Sequence, residues 1–114
     1  MLLLGKITTG IEADRSLLRV EQVADRFGLT VRQLQRLFQQ YLGVGPKWVI
    51  ERYRIFEALA LLEAQDREAF EGSLAELAYG LGYADQAHFS RVFKRLTGEQ
   101  PAHYREMVAR SGEV

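Results

Sequence analysis

The chain has 114 residues, 47% of them apolar, with 15 basic and 15 acidic side chains in balance and no cysteine. That is material for one compact domain or two very small ones, not for a disordered or collagen-like chain. Disulfides and thiolate catalysis are excluded, and no apolar run reaches the roughly 18–20 residues of a bilayer span. The Met1–Leu4 run is interrupted at once by Gly5 and Lys6, too short for a signal peptide, so a cytoplasmic protein is expected. Only His88 and His103 offer imidazole ligands, and with no cysteine beside them no metal site and no cofactor site are expected.

Apolar residues recur at intervals of three and four rather than two, which predicts an all-α chain of seven helices. The first, over much of residues 2–13, turns Leu3, Leu4, Ile7 and Ile11 inward, although Gly5, Thr8, Thr9 and Gly10 are weak helix formers. The second, near Val20–Phe27, buries Val20, Val23, Ala24 and Phe27 and ends at Gly28. Thr30 is placed to cap a third helix of about Val31–Leu42, with Leu34, Leu37, Phe38 and Tyr41 inward and Arg32, Gln35, Arg36 and Gln39 on the opposite face. Gly43, Gly45 and Pro46 mark a break, and Pro46 opens a long helix to about Ala64. Its inward set is Val49, Ile50, Tyr53, Ile55, Phe56, Leu59, Leu61 and Leu62.

Residues 65–72 read as a polar loop. Ser73 with Glu76 three positions on is a capping-box pattern before a fifth helix, which turns at Gly80 and Gly82. Asp85 is the natural cap of a sixth, with Phe89, Val92, Phe93 and Leu96 inward and Gln86, Ala87, Ser90, Arg91 and Lys94 outside. Gly98 and Pro101 close it before a last helix of about Ala102–Ala109. The other aromatics, Trp48, Tyr79 and Tyr104, are expected in the core, and Tyr83 is expected to pack the second turn with Phe89.

The pattern occurs twice. Ala24, Gly28, Leu34, Arg36, Phe38, Gly43 and Pro46 correspond to Ala78, Gly82, Phe89, Arg91, Phe93, Gly98 and Pro101, the second copy having one more residue in its turn. This predicts two helix-turn-helix subdomains, residues 1–45 and 65–114, each a homeodomain-like three-helix unit, joined by a connecting helix over 46–64.

A neutral total argues against a nucleic-acid binder, but the charge is unevenly distributed. Residues 29–54 carry Arg32, Arg36, Lys47, Arg52 and Arg54 against Glu51, a net of +4. Residues 55–82 are −5, and residues 83–110 return to +2. The basic segments hold the two polar helix faces. Arginine reads guanine O6 and N7, and glutamine bonds adenine N6 and N7, so Arg32, Gln35 and Arg36 in the first copy and Gln86, Ser90 and Arg91 in the second are the expected base contacts. His88 and Asp85 lie nearer the turn. Gln39, Lys47, Lys94 and Arg95 are the expected phosphate contacts. Arg54 and Arg105 are expected in structural ion pairs, Arg54 with Glu57 or Glu51.

The stretches GLTVRQLQRLFQQYLGVGP and RYRIFEALALL, and above all LAYGLGYADQAHFSRVFKRLTGEQPAHYR, which fits the pattern IAxxxGYxDxxxFxRxFKRxxGxxPxxYR, carry a family likeness. Over roughly residues 11–106 the chain resembles the C-terminal DNA-binding domain of AraC/XylS-type transcription regulators. The resemblance implies two helix-turn-helix subdomains on a long helix, an asymmetric double-stranded DNA site of about two turns, and contact with RNA polymerase in activators. It assigns base reading to Val31–Gln40 and Gln86–Lys94. The chain departs from the family at Arg19, where a Ser or Thr cap is usual, and at Ala87, which offers DNA only a methyl group. The family's larger members also carry a sensing or dimerisation domain that this sequence lacks, so either a fragment or a stand-alone regulator is expected. The alternative is a helical interaction module that binds polymerase or another regulator without DNA specificity of its own. No nucleophile with a nearby base, metal-ligand spacing or phosphate-binding glycine loop points to an enzyme.

Overall fold

The computed structural model describes residues 2–63 and 72–111. Seven α-helices follow in order among the described residues: α1 (Leu2–Ala13), α2 (Val20–Arg26), α3 (Val31–Leu42), α4 (Pro46–Glu63), α5 (Leu74–Gly80), α6 (Gln86–Thr97) and α7 (Pro101–Ser111). The expected end of the connecting helix at Ala64 and the loop at 65–71 lie outside the described residues. The chain divides into two compact units, residues 1–53 and 54–114.

The first unit is built on Leu4, Ile7, Ile11, Leu17, Val23, Ala24, Leu34, Phe38, Val49 and Ile50. Asp14 ties the end of α1 to α2, accepting from the backbone N–H and hydroxyl of Ser16 and from Arg26. The α2–α3 turn is a Schellman closure. Gly28, at φ 68°, donates to Asp25 O and Leu29 donates to Ala24 O, satisfying carbonyls that the end of α2 would otherwise leave open. Arg19 has no acceptor with which to cap α2. Gln22 takes that task, its Oε1 accepting from the N–H groups of Leu18 and Arg19 at 3.0 and 2.9 Å.

The second unit repeats the device. Its core is Ile55, Ala58, Leu62, Leu77, Ala78, Leu81, Phe89, Val92 and Phe93. Gly82, at φ 90°, donates to Tyr79 O and Tyr83 donates to Ala78 O. Ser73 accepts from Glu76 N, the N-cap half of the expected box. On α7, Tyr104 packs on Phe93 with ring centroids 5.7 Å apart, and its hydroxyl donates to Glu63 at the end of α4. Arg54 is buried, with its guanidinium 3.9 Å from Glu57 one turn on.

Several residues expected inside are exposed. Leu3 is 41% exposed, Tyr41 47%, Trp48 44%, Phe56 57% and Tyr79 83%. Tyr41 prolongs the inward stripe of α3 past the last residue with core against it. Phe56 continues the Val49–Tyr53 face of α4, whereas the buried residues beyond Tyr53 are Ile55, Ala58 and Leu62, on a different face of the same helix. One apolar list along α4 therefore merges two faces that serve two cores. Trp48 instead lies under Arg52, whose guanidinium carbon is 3.8 Å from its ring centre, a cation–π stack at the surface.

Candidate nucleic-acid interface

Each unit presents one helix whose buried and exposed sides are sharply divided. On α3, Leu34 and Phe38 are buried, while Arg32, Gln35, Arg36 and Gln39 are exposed; Gln35 and Arg36 lie three and four residues after Arg32, and Gln39 four and three after them, so the four share a face. The helix is fixed at its start by a reciprocal cap. Gln33 N–H donates to Thr30 Oγ1 at 3.0 Å, and Thr30 N–H donates to Gln33 Oε1 at 2.9 Å. Gln33 is thereby engaged, and the residues on either side of it in the helix carry the exposed chemistry. Gly43, at φ 72°, ends α3. The Gln39 amide nitrogen stands 4.0 Å from where a Cβ on Gly45 would lie, so this side chain reaches towards the turn into α4. Lys47, exposed in the first turn of α4, lies past that turn and not on the α3 face itself.

On α6, Phe89, Val92 and Phe93 are buried, and Gln86, Arg91, Lys94 and Arg95 are exposed, with Ser90 half-buried. Asp85 caps the helix by accepting from His88 N–H at 2.7 Å, so its carboxylate is engaged in the fold. The His88 ring meets the Tyr83 ring edge-on, centroids 5.2 Å apart, and Tyr83 in turn leans on Phe89 at 5.3 Å. Ser90, Arg91, Lys94 and Arg95 come together around one surface depression of about 500 Å3, completed by Ala87 and by Gln100 from the segment before α7. Gln86 is not among its lining residues. Nothing in the sequence pattern marks Gln100, which falls between the glycine and the proline of the GxxP step. Only the spacing from Gly98 to Pro101, too short to carry the chain far from α6, could have pointed to it.

The two faces therefore place all six expected base contacts on α3 and α6, five of them exposed and Ser90 half-buried. Both faces are rich in donors with the forked or amide geometry suited to base edges and phosphate oxygens. Among the described residues no group of three His, Asp or Glu side chains is placed to hold a metal ion. No described helix is long and apolar enough to cross a membrane.

A family model described as a helix-turn-helix domain matches residues 23–107. The HTH-type transcriptional activator RhaS of Escherichia fergusonii is 36% identical over 86 residues, covering 75% of this chain and 29% of its own length. The chain thus spans less than a third of the length of that relative. Among solved structures, an AraC-type DNA-binding-domain regulator from Chromobacterium violaceum superposes with a TM-score of 0.77 at 27% identity, covering 94% of this chain and 92% of its own. The DNA-binding domain of AdpA, solved in complex with a target DNA, gives 0.75 at 27% identity, covering 92% and 90%. With two such units and these relatives, the chain belongs to the AraC-type helix-turn-helix family of DNA-binding transcription regulators.

Proposed function

We propose that the chain binds double-stranded DNA sequence-specifically, with α3 and α6 as two recognition helices entering successive major grooves of an asymmetric site. The observation that carries this is the matched placement of Arg36 and Arg91. Each is exposed, each lies six residues after the cap of its helix, and each cap follows a glycine-closed turn of the same type. Arg32, Gln35 and Arg36 read base edges in one half-site, and Gln86, Ser90 and Arg91 in the other. Gln39, Lys47, Lys94 and Arg95 bind phosphates and fix the register. The division into two units, each with one of the two recognition helices, supports one chain serving two grooves. In this scheme the working parts are residues 1–45 and 65–114, with 46–64 as the strut between them.

The chain acts as a regulator and not as an enzyme, in the cytoplasm at the nucleoid. RNA polymerase is a second proposed partner because the relative named above is an activator. A sensing or dimerisation domain is the third, in the case that the chain is a fragment of a longer regulator and not a stand-alone one. The test is affinity for duplex DNA of the wild type against an Arg36→Ala, Arg91→Ala double variant that keeps its helical content. Loss of sequence preference in the variant supports the proposal. Unchanged DNA binding, or none in the wild type alongside retained capture of purified polymerase, would transfer the function to the interaction module.

A further inference from the structure

The depression beside α6 has a composition that base reading alone does not use. Its lining residues are Ala87, Ser90, Arg91, Lys94, Arg95 and Gln100: three cations, a hydroxyl, a primary amide and a methyl group, with no carboxylate among them. Most of its wall is carbon, supplied by the methyl group and the aliphatic stems of the long side chains, whose charged heads belong at the water boundary. A largely carbon wall that also carries three cationic side chains is the complement of a deoxyribose ring carrying a phosphodiester. It is a poor complement of a bare phosphate ion, which has no apolar side to bury. Gln100 is exposed, and the bond it gives the start of α7 is made by its backbone carbonyl, which accepts from Tyr104 N–H at 2.9 Å, so a substitution of the side chain leaves that bond in place.

We propose that this depression seats one sugar–phosphate unit of the DNA backbone, and that Gln100 is one of its phosphate ligands alongside Lys94 and Arg95. The inference rests on the DNA-binding function proposed above and adds to it. The α6 unit grips the backbone from two segments, α6 and the step just before α7, so its contribution is weighted towards affinity and register. The α3 face, with Arg32, Gln35, Arg36 and Gln39, is weighted towards base discrimination.

The experiment measures affinity for a selected duplex across salt concentrations for the wild type, Gln100→Glu and Gln100→Arg, with thermal melting to confirm that each variant folds. Gln100→Glu is expected to weaken binding to every duplex by about tenfold at 0.1 M salt, with base preferences unchanged. Gln100→Arg is expected to strengthen it and to steepen the log-affinity against log-salt slope by about one. Unchanged affinity in both variants overturns the proposal, as does a change in which base pairs are preferred. A second arm titrates inorganic phosphate while following the Gln100 side-chain amide by NMR. Saturation at millimolar phosphate, with DNA affinity insensitive to either substitution, overturns it in favour of a small-anion site. If the wild type binds no duplex at all, it is the DNA-binding function that fails, and the slope comparison is never reached.

Discussion

The two helix-turn-helix units share a turn and differ in nearly everything attached to it. Both close with a left-handed glycine and the same pair of backbone hydrogen bonds, from Gly28 and Leu29 in one and from Gly82 and Tyr83 in the other. The first then needs one residue between its glycine and Thr30 and caps α3 reciprocally through Gln33. The second inserts Tyr83 and Ala84 before Asp85 and caps α6 one way, with His88, at the position matching Gln33, set against Tyr83 instead. Backbone geometry is the shared requirement, since it holds the second helix at a fixed angle to the first. The capping chemistry is exchangeable, and the outward faces are free to diverge. They have done so, towards amides and arginines on α3 and towards a cationic depression on α6.

The largest effects should come from the matched core aromatics. Phe38 and Phe93 are each fully buried, and truncation to alanine is expected to cost about 3–5 kcal/mol through the cavity left behind. Hydrogen exchange sharpens the comparison. Phe38→Ala should strip amide protection first from residues 2–53 and Phe93→Ala from 54–111, whereas equal loss over both would show that they unfold as one. Next come Arg36→Ala and Arg91→Ala, each expected to lose about 1–3 kcal/mol of specific binding and to relax preference in a different half-site. Lys94→Ala should weaken all sequences alike and lower the salt slope by about one. Equal, sequence-independent losses for all three in titrations would contradict the division between base and phosphate contacts.

Smaller effects separate the caps. Thr30→Ala and Asp85→Ala should each cost about 1 kcal/mol in urea denaturation. Gln33→Ala should destabilise further the α3 start, while His88→Ala leaves the α6 cap intact. The smallest effects are in pH. The Ser16 hydroxyl, then its N–H, then Arg26 hold the Asp14 carboxyl down at about 2, so its contribution is whole above the ordinary value of 3.8 and is lost as the pH falls towards 2. Burial, then the hydrogen bond to Glu63, push the Tyr104 hydroxyl up to about 12, so its contribution is whole below pH 10 and is lost as the pH rises to 12. Acid should therefore loosen the first unit, and alkali the second through Tyr104, while burial and then Glu12 also push the Tyr53 hydroxyl up, so that alkali acts on the first unit as well. Asp14→Asn should remove the first slope and Tyr104→Phe the second.

The helices, both glycine turns and the caps at Thr30, Ser73 and Asp85 were legible in the sequence because each is set by local chemistry. So were the outward faces of α3 and α6, since an amphipathic helix declares its polar side. Residues whose burial depends on where a core ends were not legible. Tyr41 and Tyr79 lie on helices with correct periodicity but have no core against them, and Phe56 belongs to a helix that changes its buried face midway. The Gln22 cap is legible in principle, as a glutamine at the third helical position, but Arg19 at the cap position supplies no acceptor to complete the usual pattern. Gln100 lines the depression beside α6 because the short Gly98–Pro101 step keeps the chain near the end of that helix, a placement that no helical periodicity of its own announces.

The central claim, one chain reading two unlike half-sites, is tested most directly by selecting binding sequences from a randomised duplex library with the wild type, Arg36→Ala and Arg91→Ala. The account predicts for the wild type a bipartite, asymmetric motif with half-sites about 10 base pairs apart. Each variant should lose information from one half-site and keep the other. A single half-site erased by Arg36→Ala and untouched by Arg91→Ala, or no enrichment from folded protein, would contradict it.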